Sequence, residues 1–234
     1  MNDLTSAFGA ALGLLLAGEA QLFAIVGLSL QVSLAAVALA ALVGLPLGAA
    51  VAIVPFPGRG AVIATLNALM GLPPVVVGLV VYLLLSRAGP LGPLGLLFTP
   101  TAMIFAQALL VAPIIAALAR QVVADAWVES AEQLRSLQVG SGRAIATLLW
   151  DTRFALVTVV LAGFGRASAE VGAVMIVGGN IAGVTRVMTT TIALETSKGD
   201  LPLALGLGLI LIALVLAINA AAQAIKTAAL RRYG

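Results

Sequence analysis

Histidine and cysteine are both missing from the 234 residues, and only 9% of the side chains are charged. Without an imidazole or a thiol there is no thiolate nucleophile, no disulfide, no haem axial histidine and no zinc site of the usual ligand set. Aromatic residues are scarce at 5%, whereas 62% of the chain is hydrophobic and its mean hydropathy is +1.19. A soluble domain is roughly 25% charged, so this chain has too few polar side chains to cover a surface in water. It reads as an integral membrane protein. The net charge of +3 and the pI near 10.0 come from cations scattered along the chain. These form no basic stripe for nucleic acid, and membrane topology accounts for them. Residues 1–20 hold Asp3 and Glu19 but no lysine or arginine, so they lack the positive n-region of a cleavable signal peptide.

A nucleotide-binding loop is missing as well. A phosphate-cradling turn needs Gly-x-x-x-x-Gly-Lys followed by Ser or Thr, and the two lysines, Lys198 and Lys226, follow Ser197 and Ile225 instead. The chain is therefore not expected to hydrolyse ATP or to act as an enzyme, and no catalytic residue, cofactor site or metal site is assigned to it. Gly163-Phe164-Gly165 with Ser168 lies in an apolar stretch with no strand before it and is assigned to helix packing. Gly44 and Gly48 have the small-xxx-small spacing of closely packed membrane helices.

What is present is apolar helix. A crossing helix needs about 20 mostly apolar residues. With the charges as punctuation, the chain predicts an all-α transmembrane domain over 23–225, with spans at about 23–55, 60–86, 100–123, 154–178 and 201–225. Residues 20–58 are read as one long helix kinked at Pro46, because a hairpin would leave each arm short. The breakers Gly89-Pro90-Leu91-Gly92-Pro93 form an external loop, so the next helix begins near Pro100. Residues 1–22 are expected to be an external or interfacial segment, and 226–234 a cytoplasmic tail. With the amino terminus outside and the carboxyl terminus inside, the inner side holds Arg59, Arg120, Arg135, Arg143, Arg153, Lys226, Arg231 and Arg232. The outer side then holds Arg87, Arg186 and Lys198, and Arg166 falls within the fourth span. That split obeys the positive-inside rule.

Between Asp125 and Arg153 seven charges fall in one segment joining spans three and four. At 100° per residue, Val123, Trp127, Ala131 and Leu134 share one helical face, with Asp125, Glu129, Glu132 and Ser136 opposite. This predicts an amphipathic helix in a cytoplasmic loop spanning 125–153.

Glu132-Gln133-Leu134-Arg135-Ser136-Leu137, followed by Gly140-Ser141-Gly142-Arg143 and Leu148-Leu149, resembles the EAA loop of bacterial ABC importer permeases. The family's glycine, six residues after its glutamate, falls at Gln138, and its Leu-Pro pair at Trp150-Asp151. Phe56-Pro57-Gly58-Arg59 with Gly71-Leu72-Pro73-Pro74-Val75-Val76-Val77-Gly78, and Phe164 to Ala173, resemble the molybdate, tungstate and sulfate permeases. Val177 to Ile181 and Thr185 to Gly199 look like the tungstate-type permeases in particular. The resemblance covers about residues 25–225.

It implies a type I ABC importer permease fold in a bacterial or archaeal cytoplasmic (inner) membrane. It further implies a homodimer with the translocation path between subunits, two ABC ATPase subunits that hold ATP and magnesium, and an external oxyanion-binding protein. Glu129, Ala131, Glu132, Leu134, Leu137, Gly140 and Arg143 would form the ATPase-coupling loop. The substrate expected from the resemblance is a tetrahedral oxyanion, tungstate first and molybdate second, ahead of sulfate or phosphate.

Pro73, Pro74, Arg166, Glu170, Asn180, Arg186 and Thr190 are the candidates for the path or its gate. Arg166 and Glu170, four apart and so on one helical face, are read either as an internal ion pair that orients helices or as part of the anion path. Pro73 and Pro74 free upstream carbonyls, which suits a simple kink or a position lining the path. Asn180, Arg186 and Thr189 to Thr191 are either an ordinary loop or a source of hydrogen bonds and one positive charge for an arriving oxyanion. The rival from another class is a self-sufficient anion channel or ion-coupled carrier. Against it, five spans give no inverted repeat of equal halves, and Glu170 is the one plausible intramembrane proton site.

Overall fold

The computed structural model describes residues 20–233 together with Gly9 and Gly13. Most of the segment expected over 1–22 thus lies outside the described residues. Among the described residues all regular structure is helical: α1 (Ala20–Ile53), α2 (Arg59–Leu69), α3 (Pro74–Leu85), a 3-10 turn (Gly92–Leu94), α4 (Pro100–Ser136), α5 (Ser141–Asp151), α6 (Arg153–Ser168), α7 (Gly172–Gly178), α8 (Met188–Lys198) and α9 (Leu201–Tyr233). Three of them, α1, α4 and α9, are long and apolar enough to cross a membrane. The pairs α2 with α3 and α5 with α6 qualify only when each bent pair is counted as one span, which gives three to five spans. This is an all-α polytopic membrane protein.

Helix α1 runs unbroken through Pro46, one helix and not a hairpin. The stretch 60–86 behaves differently from the continuous span expected of it: α2 and α3 meet at a bend of 100°. The cause is local. Pro74 is the first residue of α3, and Pro73 before it is held extended at φ −66°, ψ 120°, as the residue preceding a proline must be. The stretch 154–178 is also interrupted, since α6 ends at Ser168 and α7 begins at Gly172. The expected loop over 125–153 is largely helix: α4 continues without a break from Pro100 to Ser136, so the third span and the amphipathic segment form one 37-residue rod.

The chain divides into two compact units. The first comprises the described part of Met1–Ala35, with Pro73–Gln107 and Ala167–Ala221; the second comprises Ala36–Leu72, Ala108–Arg166 and Ala222–Gly234. In the first unit Val32, Met103, Val174 and Val187 form one buried cluster, and Leu22, Met188, Leu207 and Ile210 another. Helices α3 and α7 approach to backbone contact there: a Cβ on Gly78 would lie 2.7 Å from Ala173 Cα, and one on Gly172 2.9 Å from Val75 Cγ2.

In the second unit Ala49, Ala52 and Ile53 of α1 pack with Val123 of α4 and Leu148 of α5. Gly48 faces the backbone of α4 so closely that a Cβ would strike Ala116 O, and a Cβ on Gly44 would lie 3.0 Å from Ala112 O. Gly163 is likewise pressed on Val111 and Ile115, at 3.0 Å for its notional Cβ, in keeping with its assignment to packing. Arg59 ties down the end of α1, its Nε donating to Val51 O at 2.6 Å and its Nη2 to Ala52 O at 2.8 Å. Those carbonyls have no partner further along the helix, and a cation at a helix carboxyl end suits its dipole.

Candidate functional site

The last turns of α4, the turn at 137–140 and the start of α5 form a single surface in the second unit. Val123 and Ala131 are buried and Trp127 and Leu134 half-buried, while Asp125, Glu129, Glu132 and Ser136 are exposed, the division expected from the helical period. Ala131 and Leu134, assigned to the coupling loop, therefore face inward. Leu134 packs on the core around Val123 and Leu148. What is left accessible is Glu129, Glu132, Leu137, Gly140 and Arg143, together with Val128, which is 81% exposed. Arg135 lies with its guanidinium 5.6 Å from the centre of the Trp127 ring.

The turn that ends α4 has a defined geometry. Gln138 N donates to Arg135 O at 2.9 Å and Val139 N to Leu134 O at 3.0 Å, with Gln138 itself left-handed at φ 52°. These two bonds close a Schellman motif, whose left-handed residue is normally glycine. Gln138 is thus a non-glycine residue at a glycine position, the same position where the EAA pattern has its glycine. Gly140 follows as the extended N-cap of α5.

In the first unit the interruption between α6 and α7 gathers polar groups. Glu170 lies beyond the end of α6, and this corrects the expectation that it shares a helical face with Arg166. Its carboxylate Oε1 accepts the Ala173 N–H at 3.0 Å, inside the first turn of α7. The side chain is 3% exposed. Thr189 Oγ1 donates to Glu170 O at 2.8 Å and Gln107 Nε2 to Ala167 O at 3.1 Å. Backbone groups released by the break are thereby satisfied inside the apolar interior, as a membrane helix requires. Ser29, Ser33, Gln107, Glu170 and Thr189 line a cavity of about 20 Å³ beside the break, room for one water molecule.

Thr190 is placed otherwise than a gate requires. It is fully buried, and its hydroxyl accepts the Val187 N–H at 3.1 Å and donates to Val187 O at 3.0 Å, which leaves no hydrogen for an anion. Thr191 Oγ1 also donates to Val187 O, at 2.8 Å. These threonines hold the start of α8. Asn180 is left-handed at φ 50°, and its backbone carbonyl receives Arg186 Nη2 at 3.5 Å. Arg186 opens on a cavity of about 150 Å³ lined by Gln21, Ala24, Ile25, Leu28, Gly183 and Val184. Among the described residues, Arg186 Nε and Asn180 Oδ1 are buried without a hydrogen-bond partner.

The first unit thus holds Pro73, Pro74, Glu170, Asn180, Arg186 and Thr190, while Arg166 and the coupling residues belong to the second. Sequence reasoning passed over Gln107, Ser29, Ser33 and Gln21. The signal for Gln107 was present: an uncharged amide in the middle of an apolar span has to find a partner.

No family model matches the chain. It is 43% identical over 220 residues, 94% of this chain and 96% of the relative, to the tungstate uptake system permease protein TupB of Peptoclostridium acidaminophilum. It is 43% identical over 208 residues, 85% of this chain and 88% of the relative, to a probable anion ABC transporter permease protein of Haloferax volcanii. A second tungstate uptake system permease protein TupB, from Campylobacter jejuni, matches at 39% over 150 residues, 64% of this chain and 63% of the relative.

Proposed function

Because the chain belongs to the ABC transporter permease family of the tungstate uptake and anion systems, we propose that it is the permease subunit of an ATP-driven tungstate importer. The observation that carries this reading is the 43% identity over 94% of the chain to a tungstate uptake permease. The transport partners are those the family resemblance implies: two separate ATPase subunits that bind ATP and magnesium, and an external binding protein that delivers the oxyanion. The missing phosphate-binding loop fits an outside source of energy. The permease works as a homodimer with the path between its copies, amino terminus outside and carboxyl terminus inside.

The ATPase docks on Val128, Glu129, Glu132, Leu137, Gly140 and Arg143. Supporting this, they form an accessible patch carrying two acidic side chains, and α4 is continuous from that patch into the apolar span. A displacement of the patch is therefore carried into the span through one continuous helix, with Pro113 the one interior proline along it. On the path, Arg186 with its cavity and its unpartnered Nε gives a first, weak attraction for the oxyanion, with Asn180 beside it. Weakness is needed for release. Within the first unit Pro73 and Pro74, at the start of α3, and Glu170, in the break after α6, are the gate candidates; Arg166, in the last turn of α6, is a further candidate in the second.

The test is reconstitution of the chain with its ATPase and binding protein in liposomes. ATP hydrolysis and uptake should be stimulated by tungstate at concentrations where sulfate has no effect. Stimulation by sulfate or phosphate alone would overturn the substrate, and transport without the ATPase subunit would overturn the importer.

A further inference from the structure

On the second unit an apolar groove of about 700 Å³ is lined by Leu42 and Pro46 of α1, Leu149 of α5, and Leu156, Val160 and Leu161 of α6. It is open at the side, and Leu42 is 73% exposed. Arg153 is the one charged residue among those lining it. From Arg153 to Leu161 the groove follows α6 for about 12 Å at 1.5 Å per residue.

Arg153 stands at the corner between α5 and α6. Helix α5 is amphipathic, with Ala144 and Leu148 buried and Arg143, Trp150 and Asp151 exposed. It is bent from α6 by 78°. If α6 enters the bilayer, α5 lies close to its plane, and the corner at Thr152 sits at the water boundary. The residues there fit that level: Trp150 is 68% exposed, and the Arg153 guanidinium lies 4.7 Å from its ring centre and 4.5 Å from that of Phe154. Tryptophan and arginine collect at the headgroup layer. Of its five N–H donors, Arg153 gives one to Trp150 O, from Nη1 at 2.7 Å. A second cation stands near: Lys226 is one turn beyond Ala222 of the groove wall, with its Nζ donating to Thr158 Oγ1 of α6 at 2.8 Å. Neither Lys226 nor Asp151, the acidic residue nearest in sequence, is itself among the residues lining the groove, so Arg153 is its one direct charge and Lys226 a neighbour of its wall.

We propose that this groove binds an anionic glycerophospholipid, with an acyl chain against Leu42, Leu156 and Val160 and the phosphate at Arg153 and Lys226. Charge decides the occupant. An apolar helix from another chain would fill the walls but leave both cations without a counter-charge, whereas a phosphodiester supplies the acceptors that the planar guanidinium fork matches. Cations at this depth draw anionic lipids by their surface potential.

The test uses the full chain purified in mild detergent and titrated with phosphatidylglycerol or phosphatidylcholine of identical acyl chains, with lipid adducts counted by native mass spectrometry. Phosphatidylglycerol should bind about fivefold or more tightly than phosphatidylcholine, the factor expected of one or two lipid-facing cations. Arg153→Gln should remove most of that preference while leaving phosphatidylcholine binding unchanged. Lys226→Gln provides the same reading if the loss of the Trp150 contact unfolds the first variant. Ala38→Phe, an exposed position on the groove wall, should weaken both lipids without changing the lipid-free melting temperature. Equal binding of the two lipids by the unaltered chain, or unchanged binding by Ala38→Phe, would overturn the proposal. So would Leu42→Cys yielding a crosslinked pair of chains as the main product in membranes.

Discussion

Glu170 is buried beside the first turn of α7, with its carboxylate on the Ala173 N–H at 3.0 Å. Alanine at 170 leaves that amide with no acceptor in an apolar interior, a loss of about 1–3 kcal/mol. The purified Glu170→Ala chain should melt at a lower temperature than the parent, and an unchanged melting curve would show that another group takes over. Gln138 is the opposite case, a residue that its own backbone disfavours. At φ 52° it stands in left-handed space, which costs a side chain with a Cβ about 1–2 kcal/mol and glycine nothing. Gln138→Gly should therefore raise the melting temperature and keep uptake intact, provided that the side chain itself does not contact the ATPase. A rise in melting temperature with loss of uptake would instead assign the glutamine a direct contact.

Periodicity made the amphipathic end of α4 readable before any coordinates, because Val123, Trp127, Ala131 and Leu134 repeat at the helical interval and all four turn inward. The double proline at 73–74 reads as a kink or a path-lining position within one continuous span, and residue type alone does not say by how much the chain turns. The extended Pro73 ahead of Pro74 is where that turn is made, and it reaches 100°. The end of α6 was hidden for a different reason: Ser168-Ala169-Glu170-Val171 contains no breaker, and only the tertiary partners Thr189 and Gln107 make an interruption there affordable. Contact between α3 and α7 was equally invisible, since Gly78 and Gly172 are read as packing glycines only once their neighbours are known.

That contact yields an element-scale prediction. Leucine at 78 must push α3 off Ala173, where a Cβ alone would already lie 2.7 Å from its Cα. Overpacking of this kind costs about 1–3 kcal/mol, so Gly78→Leu should lower the melting temperature and abolish uptake. A milder outcome for uptake than for stability would place this contact outside the moving parts. At the other working element, Glu129→Lys with Glu132→Lys reverses the charge of an exposed face and removes nothing from the core. It should leave folding unchanged and eliminate ATP-driven uptake. Full uptake at matched expression would show that the ATPase docks elsewhere.

For the whole molecule the decisive quantity is the length of α4. Its 37 residues extend about 55 Å at 1.5 Å per residue, against a hydrocarbon core of about 30 Å. A straight crossing therefore uses a little over half of the helix, and the remainder must project beyond the bilayer at one end or both. The charges decide which end: residues 100–119 hold none, whereas 120–136 hold Arg120, Asp125, Glu129, Glu132 and Arg135, so the projecting part is the carboxyl end with the Schellman turn. The proposed orientation rests on the cations, since Arg120, Arg135, Arg143 and Arg153 cluster around that end and only Arg87 lies in the segment before α4. Single cysteines at Leu94 and Leu137, 60% and 66% exposed, sit just before and just after this helix; Gly92 is unsuitable because a Cβ there would strike Ser86 O. In intact cells a membrane-impermeant maleimide should label Leu94→Cys and spare Leu137→Cys, and permeabilised cells should label both. Labelling of Leu137→Cys alone in intact cells would invert the topology and place the acidic patch beyond the reach of any cytoplasmic ATPase. Labelling of both in intact cells would mean that α4 does not cross at all.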